Sequence, residues 1–108
     1  MTDKVVIYVT SGSLEEGEKI AQSLVEKHLA ACVNIIPQVR SYYRWEGKIE
    51  NEAEFLLMVK TSRGLFADVQ AEVERLHSYQ VPEVICLPII DGSPNYLAWL
   101  GESLKAGG

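Results

Sequence analysis

The sequence predicts an α+β fold, a ferredoxin-like βαββαβ sandwich with a long central hairpin and an extra C-terminal helix. Strand-like segments and segments of helical periodicity follow one another in that order along the chain. Two alternating segments around Gly47 predict one long hairpin between the two main helices. Two βαβ halves joined in this way form a four-stranded antiparallel sheet with both long helices on one face.

Length and charge limit the classes of partner. The 108 residues are expected to form one domain, 1–108, and 47% of them are hydrophobic, which is enough for a core. The net charge is −5 and no run of Lys or Arg occurs, so we expect neither nucleic acid nor a membrane as a partner. The segment after Met1 lacks an apolar leader with a cleavage site, and we therefore expect a cytoplasmic location.

The first strand and the first helix are predicted over residues 4–31. Lys4–Thr10 is β-branched and nearly all apolar, as expected for a central strand. Ser13 and Glu16 have the spacing of a capping box, and the helix should end near His28–Ala31 with His28 in its last turn. The apolar positions of this helix are Ile20, Ala21, Leu24, Val25 and Leu29.

The hairpin is the longest predicted feature. Its arms are Val33–Glu46 and Ile49–Thr61, and a two-residue turn at Gly47-Lys48 joins them. An arm of about 13 residues spans about 43 Å, whereas a compact domain of this length is about 35 Å across. The hairpin should therefore overhang its own domain.

Aromatic side chains lie near the predicted tip of the hairpin, namely Tyr42, Tyr43 and Trp45. Because such side chains are unfavourable in water, they predict that another subunit covers the overhang. The alternative is a bend at Pro37 that folds the arm back onto its own domain.

Three glutamates, Glu50, Glu52 and Glu54, alternate along the second arm and share one face of the strand. Carboxylates in such a row can hold hard cations loosely. A row of like charges also keeps a strand solvated and discourages aggregation, and we favour this interpretation.

The second half of the chain contributes a helix, a strand and a final helix. The second helix should begin at Ser62 and stop at His77-Ser78, with Glu72 on its water-facing side. The fourth strand is predicted over Glu83–Ile90, where Pro88 indicates an edge strand or a bulge. The apolar positions are Leu65, Val69, Val73 and Leu76 in the second helix and Tyr96, Leu97, Trp99, Leu100 and Leu104 in the last, which starts at Ser93-Pro94.

No constellation of catalytic residues is present. The sequence has no nucleophile elbow, no phosphate-binding glycine loop and no evident acid–base pair, so we expect a protein without enzymatic activity. Cys32 and Cys86 lack the spacing of a zinc site and lie in apolar strand contexts, which predicts buried free thiols.

His77 is the histidine that best fits a functional site. It lies at a predicted helix end and is followed by Tyr79 and Glu83, while Cys32 begins a strand that enters the sheet nearby. An imidazole together with a thiolate favours copper or zinc. The alternative is that His77 caps the helix and hydrogen-bonds a backbone carbonyl.

Five segments resemble the CutA divalent-cation-tolerance family and occur in the order found there. They are A-A-C-V-N (30–34), Y-R-W-E-G-K-I-E (43–50), L-M-V-K-T (57–61), H-S-Y-Q-V-P-E-V (77–84) and Y-L-A-W-L (96–100). The resemblance covers nearly the whole chain. It implies a cytoplasmic, ferredoxin-like homotrimer that is similar in architecture to PII signalling proteins and is associated with tolerance to divalent metals, notably copper. It implies no settled enzymatic activity and no obligatory cofactor.

The resemblance also implies metal-binding candidates. Cys32 corresponds to the cysteine of A-A-C-V-N, and His77 to the histidine of the family pattern H-P-Y-x-x-P-E. Glu83 completes the candidate ligand set for copper or another divalent cation. The chain departs from the pattern by having Ser78 in place of proline and no cysteine in its first strand.

Two main hypotheses follow. The first is a trimer that binds divalent metal ions without catalysis. The second is a PII-like signalling module whose cleft between subunits, lined by Trp45, Tyr79, Lys60 and Arg44, binds a small anionic metabolite through its two basic side chains. A scaffold that acts through protein contacts alone is a third possibility.

Overall fold

The computed structural model describes residues 2–106. These residues form an antiparallel sheet in the order β2-β3-β1-β4 with two long helices packed on one face, which confirms the predicted fold. The elements are β1 (Lys4–Ser11), α1 (Leu14–Glu26), β2 (Cys32–Trp45), β3 (Lys48–Ser62), a 3-10 turn (Arg63–Leu65), α2 (Phe66–Leu76), β4 (Val84–Pro88) and α3 (Pro94–Glu102).

The core lies between the helices and one face of the sheet. Side chains alternate along a strand, so every second residue of β1 and β3 points towards the helices. The buried core residues are Val5, Ile7, Val9, Leu57 and Val59 from the sheet and Ile20, Leu24, Val69 and Val73 from the helices. Val25 was predicted to join them but is 43% exposed, because it lies about 100° around the helix from Leu24.

β3 is much longer than the strand beside it. It has 15 residues against 8 in β1, and the pairing between them ends at Ser11 and Phe55. Beyond that point β3 continues as one arm of the hairpin, paired with β2. The described chain is 44 Å long and 25 by 22 Å in its other dimensions, so the predicted overhang is confirmed.

The alternative of a reversal at Pro37 is wrong. The pairing of β2 with β3 is interrupted between Ile36 and Val39, where Gln38 has a φ of 64°. It then continues from Val39 to Trp45. A β-bulge of this kind bends and twists a strand locally without folding it back.

The hairpin turn is one residue earlier than predicted. Trp45 pairs with Lys48, so the turn residues are Glu46 and Gly47 rather than Gly47 and Lys48. Glu46 has a φ of 49° and Gly47 a φ of 80°. Positive φ at both central residues is typical of a type I′ turn, whose twist matches that of the strands and places glycine second.

Glu72 is buried, although the helical period predicts that it faces water. It is 7% exposed because the two long helices pack together around it. Its carboxylate accepts hydrogen bonds from the Ser23 hydroxyl, from Lys27 Nζ at 2.9 Å and from Arg75 Nη2 at 2.7 Å. The hydrogen bonds from Arg75 and then Ser23 hold the pKa of Glu72 well below its ordinary value.

His28 lies beyond the end of α1 rather than in its last turn. It has a φ of 57°, the left-handed conformation that often ends a helix. Its Nδ1 donates to the carbonyl of Ser103 at 3.2 Å, and its own carbonyl accepts from the Lys105 amide at 2.9 Å. His28 therefore joins the end of α1 to the end of α3.

β4 is shorter than the predicted Glu83–Ile90 and covers Val84–Pro88. It lies at the edge of the sheet, as Pro88 predicts. Cys86 is exposed and the prediction of a buried thiol is wrong there, because the edge strand has a neighbouring strand on one side only. Cys32 is half-buried.

The sheet face opposite the two long helices is partly uncovered. Met58, Tyr8 and Ile85 lie side by side across β3, β1 and β4, and Leu87 shares their face. Ile85 is 51% exposed and Leu87 is 38% exposed. We call these four side chains the open sheet face.

Candidate functional site

A cleft opens where β1 ends and the overhanging part of the hairpin continues. Its volume is about 690 Å³, and its walls are the hairpin and the segment 79–83 that follows α2. We call it the hairpin cleft. It is lined by Thr10, Ser41, Tyr42, Tyr43, Trp45, Glu50, Glu52, Glu54, Tyr79, Gln80, Val81 and Glu83.

Carboxylates and aromatic rings dominate this lining. Alternation along β3 places Glu50, Glu52 and Glu54 on one face, and Tyr43 of β2 stands opposite Glu50. Glu83 adds a fourth carboxylate from the opposite wall. Among the described residues that line the cleft there is no Lys or Arg, so its potential is negative.

Glu54 is the buried member of the row, with 6% exposure. The hydroxyl of Tyr79 donates a hydrogen bond of 2.7 Å to its Oε2. The prediction of a solvated row is therefore wrong for Glu54, because the segment after α2 folds over it. Burial and then the Glu54 carboxylate raise the pKa of Tyr79 well above its ordinary value.

His77 is held by hydrogen bonds on both ring nitrogens. Its side chain is fully buried, Nε2 donates to the Thr10 carbonyl at 2.6 Å, and Nδ1 accepts from the Tyr79 amide at 3.1 Å. The Glu16 carboxylate lies 3.4 Å from Nδ1 and also accepts from the Ser78 amide at 3.1 Å. The predicted alternative, a histidine at the helix C-terminus bonded to a carbonyl, is confirmed.

Cys32 does not approach His77 within one chain. Cys32 pairs with Lys60, whereas Thr10, which accepts the hydrogen bond from His77, pairs with Leu56. Four residues of β3 separate these two levels, which is about 13 Å along the sheet. The predicted convergence of the thiol and the imidazole does not occur within the chain.

Glu83 lines the hairpin cleft, whereas neither Cys32 nor His77 is part of that lining. Burial, followed by the nearby charge of Glu54, raises the pKa of Glu83. Within residues 2–106, no group of three His, Cys, Asp or Glu side chains is placed to hold a metal ion.

A family model described as CutA1 divalent ion tolerance protein matches residues 5–103. The chain belongs to the CutA1 divalent ion tolerance family. This membership confirms the resemblance found in the five sequence segments, and it supports a general role in divalent-ion tolerance.

CutA proteins from distant organisms are similar to this chain. The divalent-cation tolerance protein CutA of Archaeoglobus fulgidus is 48% identical over 99 residues, which cover 92% of this chain and 96% of that protein. The chloroplastic protein CutA of Arabidopsis thaliana is 48% identical over 101 residues, but the chain spans only 56% of its length.

Solved CutA structures have the same fold. The divalent cation tolerance protein from Thermus thermophilus has a TM-score of 0.92 at 44% identity, over 94% of this chain and 99% of that one. CutA1 from Oryza sativa has a TM-score of 0.93 at 45% identity, over 95% and 94% of the two chains.

The compartment of this CutA1-family chain stays a prediction. Two relatives, from Arabidopsis thaliana and Oryza sativa, are named chloroplastic, and one solved structure, from Archaeoglobus fulgidus, is described as periplasmic. Within residues 2–106, no helix is both long enough and apolar enough to cross a membrane.

The predicted cleft residues of this CutA1-family chain divide into two pairs. Trp45 and Tyr79 line the hairpin cleft. Lys60 instead lies near α3, with its Nζ 5.7 Å from the ring centroid of Tyr96. Arg44 pairs with Ile49 and so points to the opposite face of the hairpin from Tyr43. The basic pair needed for an anionic metabolite is therefore absent from the described lining of this cleft.

The sequence did not predict that the Tyr79 ring covers Glu54, or that Gly12 leaves room for this ring. A Cβ at Gly12 would lie 3.0 Å from the Tyr79 hydroxyl, so the glycine leaves room for the ring that covers Glu54. A glycine in the short segment S-G-S indicates that another group can pack closely against the backbone there. The group is the ring of Tyr79, which is 67 residues further along the chain, so the sequence alone does not identify it.

Proposed function

We propose that this CutA1-family chain forms a homotrimer without enzymatic activity that binds divalent ions, copper among them, at sites shared between copies. Family membership supports the role in ion tolerance. The observation with most weight for assembly is the exposed apolar surface of the overhanging hairpin and the open sheet face.

Two regions expose large apolar side chains. On the hairpin, Tyr42 is 72% and Ile49 is 69% exposed, and on the open sheet face Ile85 is 51% exposed. β2 is an edge strand, so its outer backbone groups are also available for pairing. Burying these surfaces against other copies stabilises an oligomer. We propose three copies, rather than another number, because the resemblance of the sequence to the CutA family implies a homotrimer.

Cys32 is the metal ligand that we propose first. It stands on the edge strand β2, where another copy can bring further ligands, and a thiolate suits copper. Glu83 offers a carboxylate from the hairpin cleft. His77 would have to give up the hydrogen bond from the Tyr79 amide before Nδ1 could bind an ion.

Light scattering after gel filtration tests the assembly. At micromolar concentration we expect three times the chain mass of 12.0 kDa. Ile85→Lys should lower this mass, because it places a charge on the open sheet face, whereas Glu74→Lys on the exposed side of α2 should leave it unchanged. A wild-type monomer would contradict the proposal.

Calorimetric titration of copper and zinc into the reduced protein tests the ligands. We expect saturable binding with a fixed number of ions per chain, lost in Cys32→Ser and retained in the matched control Cys86→Ser. Cys32→Ser is a cleaner test than a change at His77, whose buried ring supports the fold. Weak heats without a fixed stoichiometry, equal in all three proteins, would contradict specific binding.

A further inference from the structure

Three aspartates occur in the chain, and Asp91 is the one that is followed by glycine. Asp91 and Gly92 lie between the end of β4 and the start of α3, outside both elements, and both residues are exposed. The Gly92 amide donates a hydrogen bond of 2.9 Å to Oδ1 of Asp91. The main-chain nitrogen after Asp91 therefore lies against the carboxyl group of Asp91 itself, and glycine has no Cβ that would hinder its approach.

The amides that follow the other two aspartates are placed differently. The Lys4 amide, which follows Asp3, donates to the Thr2 hydroxyl at 3.1 Å. Val69, which follows Asp68, is fully buried inside α2, and its branched side chain crowds the main chain. The close contact between a carboxyl group and the next, unhindered nitrogen is thus a feature of Asp91 among the three.

This segment lies outside the surfaces that we propose to meet other copies. The Ile89 amide donates to the Lys4 carbonyl at 3.0 Å, so Asp91 follows a segment that lies beside the first residue of β1. The overhang of the hairpin begins beyond Ser11, at the other end of β1, about 23 Å away along the strand. β4 and β2 form opposite edges of the sheet, and Asp91 lies beyond the last residue of β4.

We propose that Asp91 is a site of isoaspartate formation, in which the Gly92 nitrogen attacks Cγ of Asp91. The bond from nitrogen to Cγ forms, and the carboxyl hydroxyl and the amide proton leave together as one water molecule, which gives a five-membered succinimide. Water then adds to one of the two imide carbonyls. Cleavage of the bond from nitrogen to Cγ restores aspartate, whereas cleavage of the bond from nitrogen to the main-chain carbonyl carbon gives isoaspartate. Water is the one reactant that the sequence of steps requires.

The modification changes the connection to α3. Isoaspartate adds one methylene carbon to the main chain, directly before a residue that is closely packed. An added Cβ at Gly92 would lie 3.2 Å from the side chain of Leu97, and the Leu97 amide donates to the Ser93 carbonyl at 3.0 Å in the first turn of α3. A longer main chain displaces Gly92 from this contact, so we expect weaker packing of the first turn of α3.

Prolonged incubation of the folded full chain, followed by proteolysis and mass spectrometry with fragmentation that distinguishes isoaspartate, tests the proposal. Methylation by a carboxyl methyltransferase that recognises isoaspartate gives an independent readout. We expect at least about tenfold more isoaspartate at Asp91 than at Asp68, because glycine leaves the attacking nitrogen unhindered. A synthetic peptide of residues 87–95 shows that the conditions permit the reaction. An unmodified Asp91 in the folded chain, under conditions in which this peptide isomerises, would overturn the proposal.

Glutamate variants show which residue reacts. Asp91→Glu keeps the charge but would need a six-membered ring, which forms much more slowly, and it should abolish methylation of the peptide that contains position 91. Asp68→Glu is the matched control and should leave that methylation unchanged. Equal methylation of this peptide in the wild type and in Asp91→Glu would overturn the proposal.

Thermal unfolding tests the expected effect on α3. Incubated wild type should unfold a few degrees below fresh protein, whereas incubated Asp91→Glu should not. Equal losses in the two proteins would contradict the effect on α3. These measurements do not depend on Cys32 or on the number of copies, so the metal and assembly proposals are tested separately.

Discussion

The hydroxyl of Tyr79 lies 2.7 Å from the Oε2 atom of Glu54 and joins the segment after α2 to the overhanging hairpin. The two residues are 25 positions apart in the sequence, and neither lies in the hydrophobic core. Their hydrogen bond fixes one wall of the hairpin cleft against the other. The stability of this part of the molecule should therefore depend on a single hydroxyl group.

Tyr79→Phe should lower the free energy of unfolding by about 1–3 kcal/mol, because the buried Glu54 carboxylate loses its donor. Urea denaturation at pH 7 measures the change. Tyr96→Phe is the control, since Tyr96 is 41% exposed and lies on α3 rather than on the surfaces proposed to meet other copies, and it should stay within about 0.5 kcal/mol of the wild type. Similar losses in the two variants would show that the hydrogen bond contributes nothing specific.

Glu72 should make stability depend on acid pH. A carboxyl whose pKa is lower in the folded than in the unfolded chain stabilises the fold above its unfolded pKa, and this contribution is lost as the pH falls. Glu72→Gln should therefore cost about 1.5–3 kcal/mol at pH 7 and clearly less at pH 3. Urea denaturation at the two pH values measures the difference.

The control for Glu72 is Glu74→Gln on the same helix. Glu74 is exposed and its hydrogen bond comes from Gln70, at 3.1 Å. This variant should follow the wild type at both pH values. A constant gap between wild type and Glu72→Gln from pH 7 to pH 3 would contradict the proposed role of Glu72.

His77→Ala should destabilise the fold by about 2–4 kcal/mol. It leaves a cavity and removes the donor of the Thr10 carbonyl and the acceptor of the Tyr79 amide. Thermal unfolding followed by circular dichroism provides the measurement. Glu18→Ala is the control, because Glu18 is exposed on α1, and it should cost less than about 1 kcal/mol. An unchanged unfolding temperature in His77→Ala would contradict a role of this histidine in stabilising the fold.

Glu46→Asn should raise the free energy of unfolding by a few tenths of a kcal/mol, because asparagine tolerates positive φ and Asn-Gly is the preferred type I′ pair. Gly47→Ala should lower it by about 1–2 kcal/mol. No atom lies within 4 Å of an added Cβ at Gly47, so the loss reports backbone strain alone. Chemical denaturation checks both changes. A neutral Gly47→Ala would contradict the turn assignment.

Regular elements were predictable because their signals are local. The helical period, the capping residue Ser13 and the alternation in the hairpin arms each depend on residues close together in sequence, and all were confirmed. The predictions that were wrong concern residues at the contact between two secondary-structure elements. Glu72 has the spacing of a solvated residue and became buried when α1 packed against α2.

The candidate site was predictable only in part. Trp45, Tyr79 and Glu83 were selected from the sequence and do line the hairpin cleft. Lys60 and Arg44 do not line it. Pairing register decides on which face of the sheet a strand residue lies and at what level along the strands, and the sequence alone does not give that register.

The sequence by itself determined the order of the elements, the overhang of the hairpin and membership of the CutA1 family, since these depend on period, length and local motifs. Only the tertiary structure decided that Cys32 and His77 stand apart, that Glu54 is buried under Tyr79, and that the cleft is acidic. The physical reason is that strand register and the folding of segment 79–83 onto the hairpin join residues distant in sequence. No local pattern specifies those contacts.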